Sequence, residues 1–259
     1  MKSLVKILVN TDIGILLRNN LNFKPVGLKL FEKDYPTSVS DAFLWRTDNG
    51  YKTKFKYSDI LNLFYKIKNS WVEFHFYSRN NELIKIERVD NLNLSNEIEI
   101  TSEYLNNIQD YGVFYIYHFS ENKSDLESKN IISNRCYLGY AQNNNLYSFV
   151  HGNTRARYTG INLKKDISSD IVKTSLFKNY KYTIQKYFNN FNKNELFFIN
   201  PTSKIIKFSL EDKKYILNSG CTKLIEPKNS IVSIKKTNCL FLRPTVFSYE
   251  GDFLDVHHS

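Results

Sequence analysis

The clearest pattern of apolar and polar positions runs from residue 51 to 57, where Tyr51, Thr53, Phe55 and Tyr57 alternate with Lys52, Lys54 and Lys56. A period of two sends successive side chains to opposite faces of a strand, so the segment predicts a half-buried strand with a lysine-lined outer face. Residues 71–77 repeat the pattern, with Val72, Phe74 and Phe76 opposing Trp71, Glu73, His75 and Tyr77. Arg79, Asn80 and Asn81 then turn the chain into the run 83–89, which predicts a β-hairpin. A second hairpin is predicted where 136–141 and 146–150 flank Gln142, Asn143, Asn144 and Asn145. Further strands are expected at 4–9, 26–31, 42–46, 97–101, 113–119 and 155–163. Asp48, Asn49 and Gly50 mark a turn, and a short helical turn is expected within 103–108.

One segment has helical spacing. Ile60, Leu63, Phe64 and Ile67 fall at i, i+3, i+4 and i+7, behind Ser58 and Asp59 as capping residues. This predicts a helix near 58–68, with that face buried against the sheet.

The last third contains seven short β-like runs, at 196–199, 205–210, 214–217, 223–225, 231–234, 239–242 and 245–249, and a terminal strand is expected over 253–258. Turn residues such as Asn218, Ser219 and Gly220 separate them, a spacing expected of a small antiparallel sandwich. The predicted fold class is mainly β with an α+β N-terminal part. Two β-sandwich-like domains are expected: 1–185, a mixed β domain with one helix, and 186–259, an immunoglobulin-like sandwich. Phe55, Tyr57, Phe74, Phe76, Phe198, Phe208 and Ile234 are expected inside.

Composition agrees with this reading. There are 18 Tyr and 19 Phe but only three Ala, a balance that favours pleated sheet over helix. No apolar run approaches the roughly 18 residues of a membrane-spanning helix, and Asp12 and Arg18 interrupt the first apolar stretches, so neither a span nor a secretory signal is expected. Three Cys without CxxC spacing suggest reduced thiols and a cytoplasmic protein, with Cys221–Cys239 as the one pairing considered.

Charge changes the picture more. The chain carries a net charge of +10, unevenly placed: residues 1–120 hold 15 basic against 14 acidic side chains, and residues 121–259 hold 21 against 12. Such asymmetry concerns partners rather than fold, and its plain alternative is a solvated lysine-rich surface.

Candidate chemistry is sparse. GxSxG, GxGxxG and GxxxxGK[ST] are missing from the sequence, which leaves no motif for a nucleophile elbow or a phosphate-cradling loop. His75, His118 and His151 lie on separate β-segments without HxH or HExxH spacing, and Asp255, His257 and His258 fit a last strand better than a ligand set. No metal and no cofactor is expected. The most suggestive group is Arg135, Tyr137, Tyr140, His151, Asn153, Arg155 and Arg157, around the second hairpin. Arginine offers paired donors to carboxylate, sulfate or phosphate, and tyrosine offers a ring with a polar tip. A second patch, Trp45 to Tyr51, joins aromatic and polar side chains at a turn.

The sequence therefore points to a non-catalytic binding or accessory protein whose basic middle region takes an anionic ligand, more readily a glycan than nucleic acid. Two alternatives stay open: an enzyme acting on a sugar or sugar conjugate, with His151 and an acidic partner as acid and base, and a protein-interaction module using the edge of the C-terminal sandwich.

Overall fold

Side-chain alternation resolves into twenty strands in five four-stranded sheets among the described residues. The structure, a computed structural model, describes residues 35–259 except 123–125, 128, 135, 153–154, 162–167, 173, 175–179, 186–190, 229–230, 240–241 and 259, together with Thr11, Ile13, Gly14 and Leu17. The strands expected at 4–9 and 26–31 lie outside the described residues.

Strands β1 (Thr37–Asp41), β2 (Phe43–Arg46) and β3 (Tyr51–Ser58) precede the helix α1 (Ile60–Tyr65). The hairpin β4 (Ser70–Ser78) and β5 (Leu83–Val89) follows, then β6 (Ser95–Ile100) and β7 (Tyr111–Ser120). Next come β8 (Ile131–Ser133), the second hairpin β9 (Cys136–Gln142) and β10 (Ser148–Val150), then β11 (Arg155–Gly160) and β12 (Ser169–Asp170). The remaining strands are β13 (Tyr180–Gln185), β14 (Lys193–Ile199), β15 (Ile206–Leu210), β16 (Lys213–Leu217), β17 (Thr222–Ile225), β18 (Ile231–Thr237), β19 (Thr245–Glu250) and β20 (Phe253–His258).

The first core lies between the sheets β10-β9-β3-β6 and β2-β7-β4-β5. Phe43, Phe55, Phe74, Phe76 and Phe114 fill it, with Phe55 edge-on to Phe43 and Phe114 at 4.8 and 5.0 Å between ring centroids. A third sheet, β12-β11-β1-β8, lies alongside β7 and contains the parallel pair β1–β8. Ser38 and Ser40 of β1 are buried because their hydroxyls accept the N–H groups of His118 and Ile116, replacing ladder bonds that β7 would otherwise lack.

The helix is shorter than its spacing predicts. Asp59 caps it by accepting the Asn62 N–H, and Lys66 ends it in the left-handed region at φ 60°. Ile67 therefore leaves the helical face and packs with Ile60 and Leu61 on Leu126, Ile132 and Ile161, a satellite of the main core. Leu63 and Phe64 are exposed, so the expected face was wrong in two of its four members.

The second core lies between β13-β18-β15-β16 and β17-β14-β19-β20, a two-sheet antiparallel sandwich of the class read from the sequence. Six of the seven expected runs are strands. The run at 239–242 is not one in its described part: Cys239 makes a single bridge to Thr174, and Leu242 packs in the core. All seven side chains expected inside are buried, and none of the three cysteines is in a disulfide.

The sheet β17-β14-β19-β20 serves both cores. Leu196, Phe198 and Val246 point into the second, whereas Phe197, Ile199 and Phe247 point into the first. A strand buried on both faces loses its polar alternation, which explains the unbroken Leu196-Phe197-Phe198-Ile199.

Candidate functional site

The hairpin β9–β10 separates the residues that the sequence grouped together. Tyr137 and Tyr140 are three apart on one strand, so they face opposite ways. Tyr140 is in the core and donates its hydroxyl to the Leu44 carbonyl at 2.8 Å. Tyr137 is 52% exposed and meets the exposed His151, with 4.8 Å between ring centroids. Arg155 is exposed on β11, in register with Asp41 of β1. Arg157 is half-buried, its guanidinium 4.6 Å from the Tyr115 ring centroid and 3.5 Å from Asp170. Burial opposes its charge, but Tyr115, Tyr117 and Asp170 outweigh that and push its pKa up. Arg135 and Asn153 lie outside the described residues.

What remains of the group opens onto the outer face of β10-β9-β3-β6. Phe149 is 42% exposed, and its ring lies flat across Gly139, where an added Cβ would come within 2.6 Å of it. Tyr147 stands 5.9 Å from Phe149. The lysine row of β3 flanks these rings: Lys54 Nζ is 4.9 Å from the Tyr147 centroid, and Lys56 Nζ is 5.4 Å from that of Phe149. The register explains the row, since Lys54 pairs with Gly139 and Lys56 with Tyr137. Glu97 and Glu99 of β6 hold the lysines from the other side, at 3.5 Å and 3.8 Å from Lys54 Nζ and, for Glu97, 3.6 Å from Lys56 Nζ.

A different cluster lies at the seam between the two sandwiches, and sequence reasoning reached only half of it. Arg46, from the turn patch noted above, is 1% exposed. It forms a two-bonded fork with Asp48 at 2.9 and 2.8 Å and reaches Glu195 of β14 at 2.8 Å. Its guanidinium stacks on Tyr51, 3.9 Å from the ring centroid. Tyr51 donates to the Tyr249 hydroxyl at 2.6 Å, and Tyr249 donates to Glu195. Burial disfavours the ionised Glu195, but Arg46, Lys193 and Tyr249 outweigh it and hold the carboxyl below the usual range. Burial pushes the Tyr51 hydroxyl up to about 12. No sequence signal marks Glu195 or Tyr249, since Arg46 and Glu195 are 149 positions apart.

The histidines do not converge. Asn134 gives both of its amide hydrogens to the Val39 and Ile116 carbonyls, so its oxygen accepts from His118 Nε2 at 2.8 Å. Burial lowers the His118 pKa to about 4, and the Asn134 bond only partly offsets this. His75 sits 3.1 Å from Glu73, His257 3.0 Å from Asp255, and His258 donates to the His151 carbonyl at 2.6 Å. Asp41, facing Arg155, is raised to about 6 because burial outweighs the arginine. No helix among the described residues is long and apolar enough to cross a membrane.

No protein-family model matches the chain, and no curated protein does. Among solved structures, 91% of the chain is similar to 26% of a beta-glucuronidase from glycoside hydrolase family 2, at 8% identity and a TM-score of 0.18.

Proposed function

We propose that the protein is a non-catalytic glycan-binding module, and that the outer face of β10-β9-β3 is its binding surface. The observation that carries this reading is the exposure of Tyr137 and Phe149 beside the Lys54 and Lys56 row on one sheet face. An exposed ring presents an apolar plane to the C–H face of a sugar, and its π-cloud draws the nearby ammonium groups. Those ammonium groups are held by Glu97 and Glu99 in half-exposed pairs, which water weakens, so a sulfate or carboxylate substituent can take the place of a glutamate, and an anionic glycan is favoured. His151 extends the strip past Tyr137.

The alternatives draw less from the geometry. The ring of His151 stands tilted at 43° against Tyr137, an aromatic contact that suits a binding strip better than an acid–base pair. Lys204, Lys207 and Lys213 are exposed along the C-terminal sandwich, where charge discourages edge-to-edge docking of another chain. Three cysteines outside any disulfide fit a reducing compartment.

Affinity electrophoresis through gels containing sulfated or uronic polysaccharide tests the reading. If each ring buries roughly 50 Å² against sugar at about 25 cal/mol/Å², Tyr137→Ala and Phe149→Ala each weaken binding about eightfold. Unchanged retardation of the double variant sinks the proposal. Preference for a single-stranded oligonucleotide with steep salt dependence replaces it with nucleic-acid binding.

A further inference from the structure

The seam cluster borders a cavity of about 410 Å³, a size within the ordinary range of ligand sites. Its floor is Arg46, Tyr51, Glu195 and Tyr249, and its mouth carries Gln142, Asn192 and Lys193. These groups come from both sandwiches, so the cavity exists only when the two are joined.

Two properties define what would fit. First, the charges are already paired. Arg46 is taken by Asp48 and Glu195, and Lys193 Nζ is 2.9 Å from Glu195 and 3.9 Å from Glu226, so neither cation is left unpaired. A charged ligand would have to break that pairing beside the buried Arg46 and Glu195, at the cost of an unpaired ion. Second, the mouth keeps neutral hydrogen-bonding capacity. Gln142 spends its amide nitrogen on the Asn49 carbonyl, which leaves its oxygen as an acceptor. Asn192 uses only its backbone N–H, toward Tyr249, so among the described residues its side-chain amide is uncommitted. Asn192 and Gln142 thus offer donors and acceptors in the mixture that vicinal hydroxyls match.

We propose that this cavity is a second binding site, for a neutral hydroxyl-rich ligand such as a single sugar residue or a polyol. The site does not depend on the outer aromatic face. It differs from that face in the charge it accepts, because the outer lysine–glutamate pairs stand in water, where an anion can exchange with a carboxylate at little cost, and the Arg46–Glu195 pair of the seam is buried.

Ligand-observed saturation-transfer NMR on the full chain tests it, with glucose, galactose, N-acetylglucosamine and myo-inositol as probes and glucuronate as the charged control. At least one neutral probe is expected to saturate, more tightly than glucuronate. Asn192→Ala and Gln142→Ala each remove about one neutral hydrogen bond and weaken binding about fivefold, and together about 25-fold. Asn192→Trp, placed at an exposed position over the mouth, abolishes binding while circular dichroism stays native. The Tyr137→Ala/Phe149→Ala variant keeps full affinity for the neutral probe, so failure here is separable from failure of the outer face. Saturation by none of the neutral probes, survival of binding in the double amide variant, or tighter binding of glucuronate overturns the proposal.

Discussion

Glu195→Ala tests whether the seam network joins the two sandwiches energetically. The Arg46 and Glu195 side chains are 1% and 9% exposed, so both charges are nearly out of water. Removing one partner of a buried ion pair costs about 3–5 kcal/mol, chiefly through the charge left behind. Asp48 still holds Arg46 through two bonds, which places the expected loss at the lower end, about 3 kcal/mol. With a urea m-value of about 3 kcal/mol/M, the unfolding midpoint falls by about 1 M. The readout is selective, because both tryptophans, Trp45 and Trp71, lie in the N-terminal strands β2 and β4, whereas Glu195 lies in β14. Tryptophan fluorescence therefore follows the first sandwich, and far-ultraviolet circular dichroism follows both. Coupling requires both midpoints to fall together. A fluorescence midpoint that stays in place while the dichroism midpoint drops would refute it. Arg46→Met/Asp48→Asn/Glu195→Leu, which removes the arginine together with both of its carboxylate partners, should recover more than half of the loss.

Two titrations give further predictions of opposite sign. His118 has a folded pKa near 4 against an ordinary 6.5, so its neutral form is favoured on folding. The stability it contributes, about 3 kcal/mol, is complete above pH 6.5 and lost as pH falls toward 4. Denaturation of His118→Gln between pH 4 and 7 should show a flatter acid limb; an unchanged slope would count against the assignment. Asp41 has a folded pKa near 6 against an ordinary 3.8, so its contribution is present at low pH and lost as pH rises through 6. Asp41→Asn should stabilise the protein at pH 7 by about 3 kcal/mol and gain nothing at pH 3, and destabilisation at pH 7 would contradict the reading.

Strands were legible where alternation met one buried face, as at Tyr51 to Tyr57, and where asparagine-rich turns closed a hairpin. The unbroken run at Leu196 was legible as a strand, but its second buried face depends on distant strands such as β7, whose Tyr111 meets Phe197 across 86 positions. The helix misled because periodicity presumes continuation: once Lys66 adopts a left-handed backbone, Ile67 belongs to a different direction from Leu63 and Phe64. Among site residues, Tyr137 and His151 came together as the hairpin required. Tyr140 could have been excluded beforehand, since an odd spacing along a strand reverses the face. Arg155 and Arg157 share a face, yet one meets Asp41 and the other a tyrosine layer, a difference set by partners that local sequence does not encode. Glu195 and Tyr249 were invisible for the same reason.

The shared sheet also sets an order of events during synthesis. The strands of the first core down to β11 leave the ribosome before β14 and β19, yet Phe197, Phe247 and Val256 complete that core. About 95 residues separate the end of β11 from Val256, which at about 5–20 residues per second takes roughly 5–20 s. Throughout that interval the nascent chain holds an aromatic layer, Tyr51 and Tyr140 among it, with no wall against it. Until strands β14 and β19 arrive, that layer is exposed apolar surface of the kind that makes a nascent chain prone to aggregate.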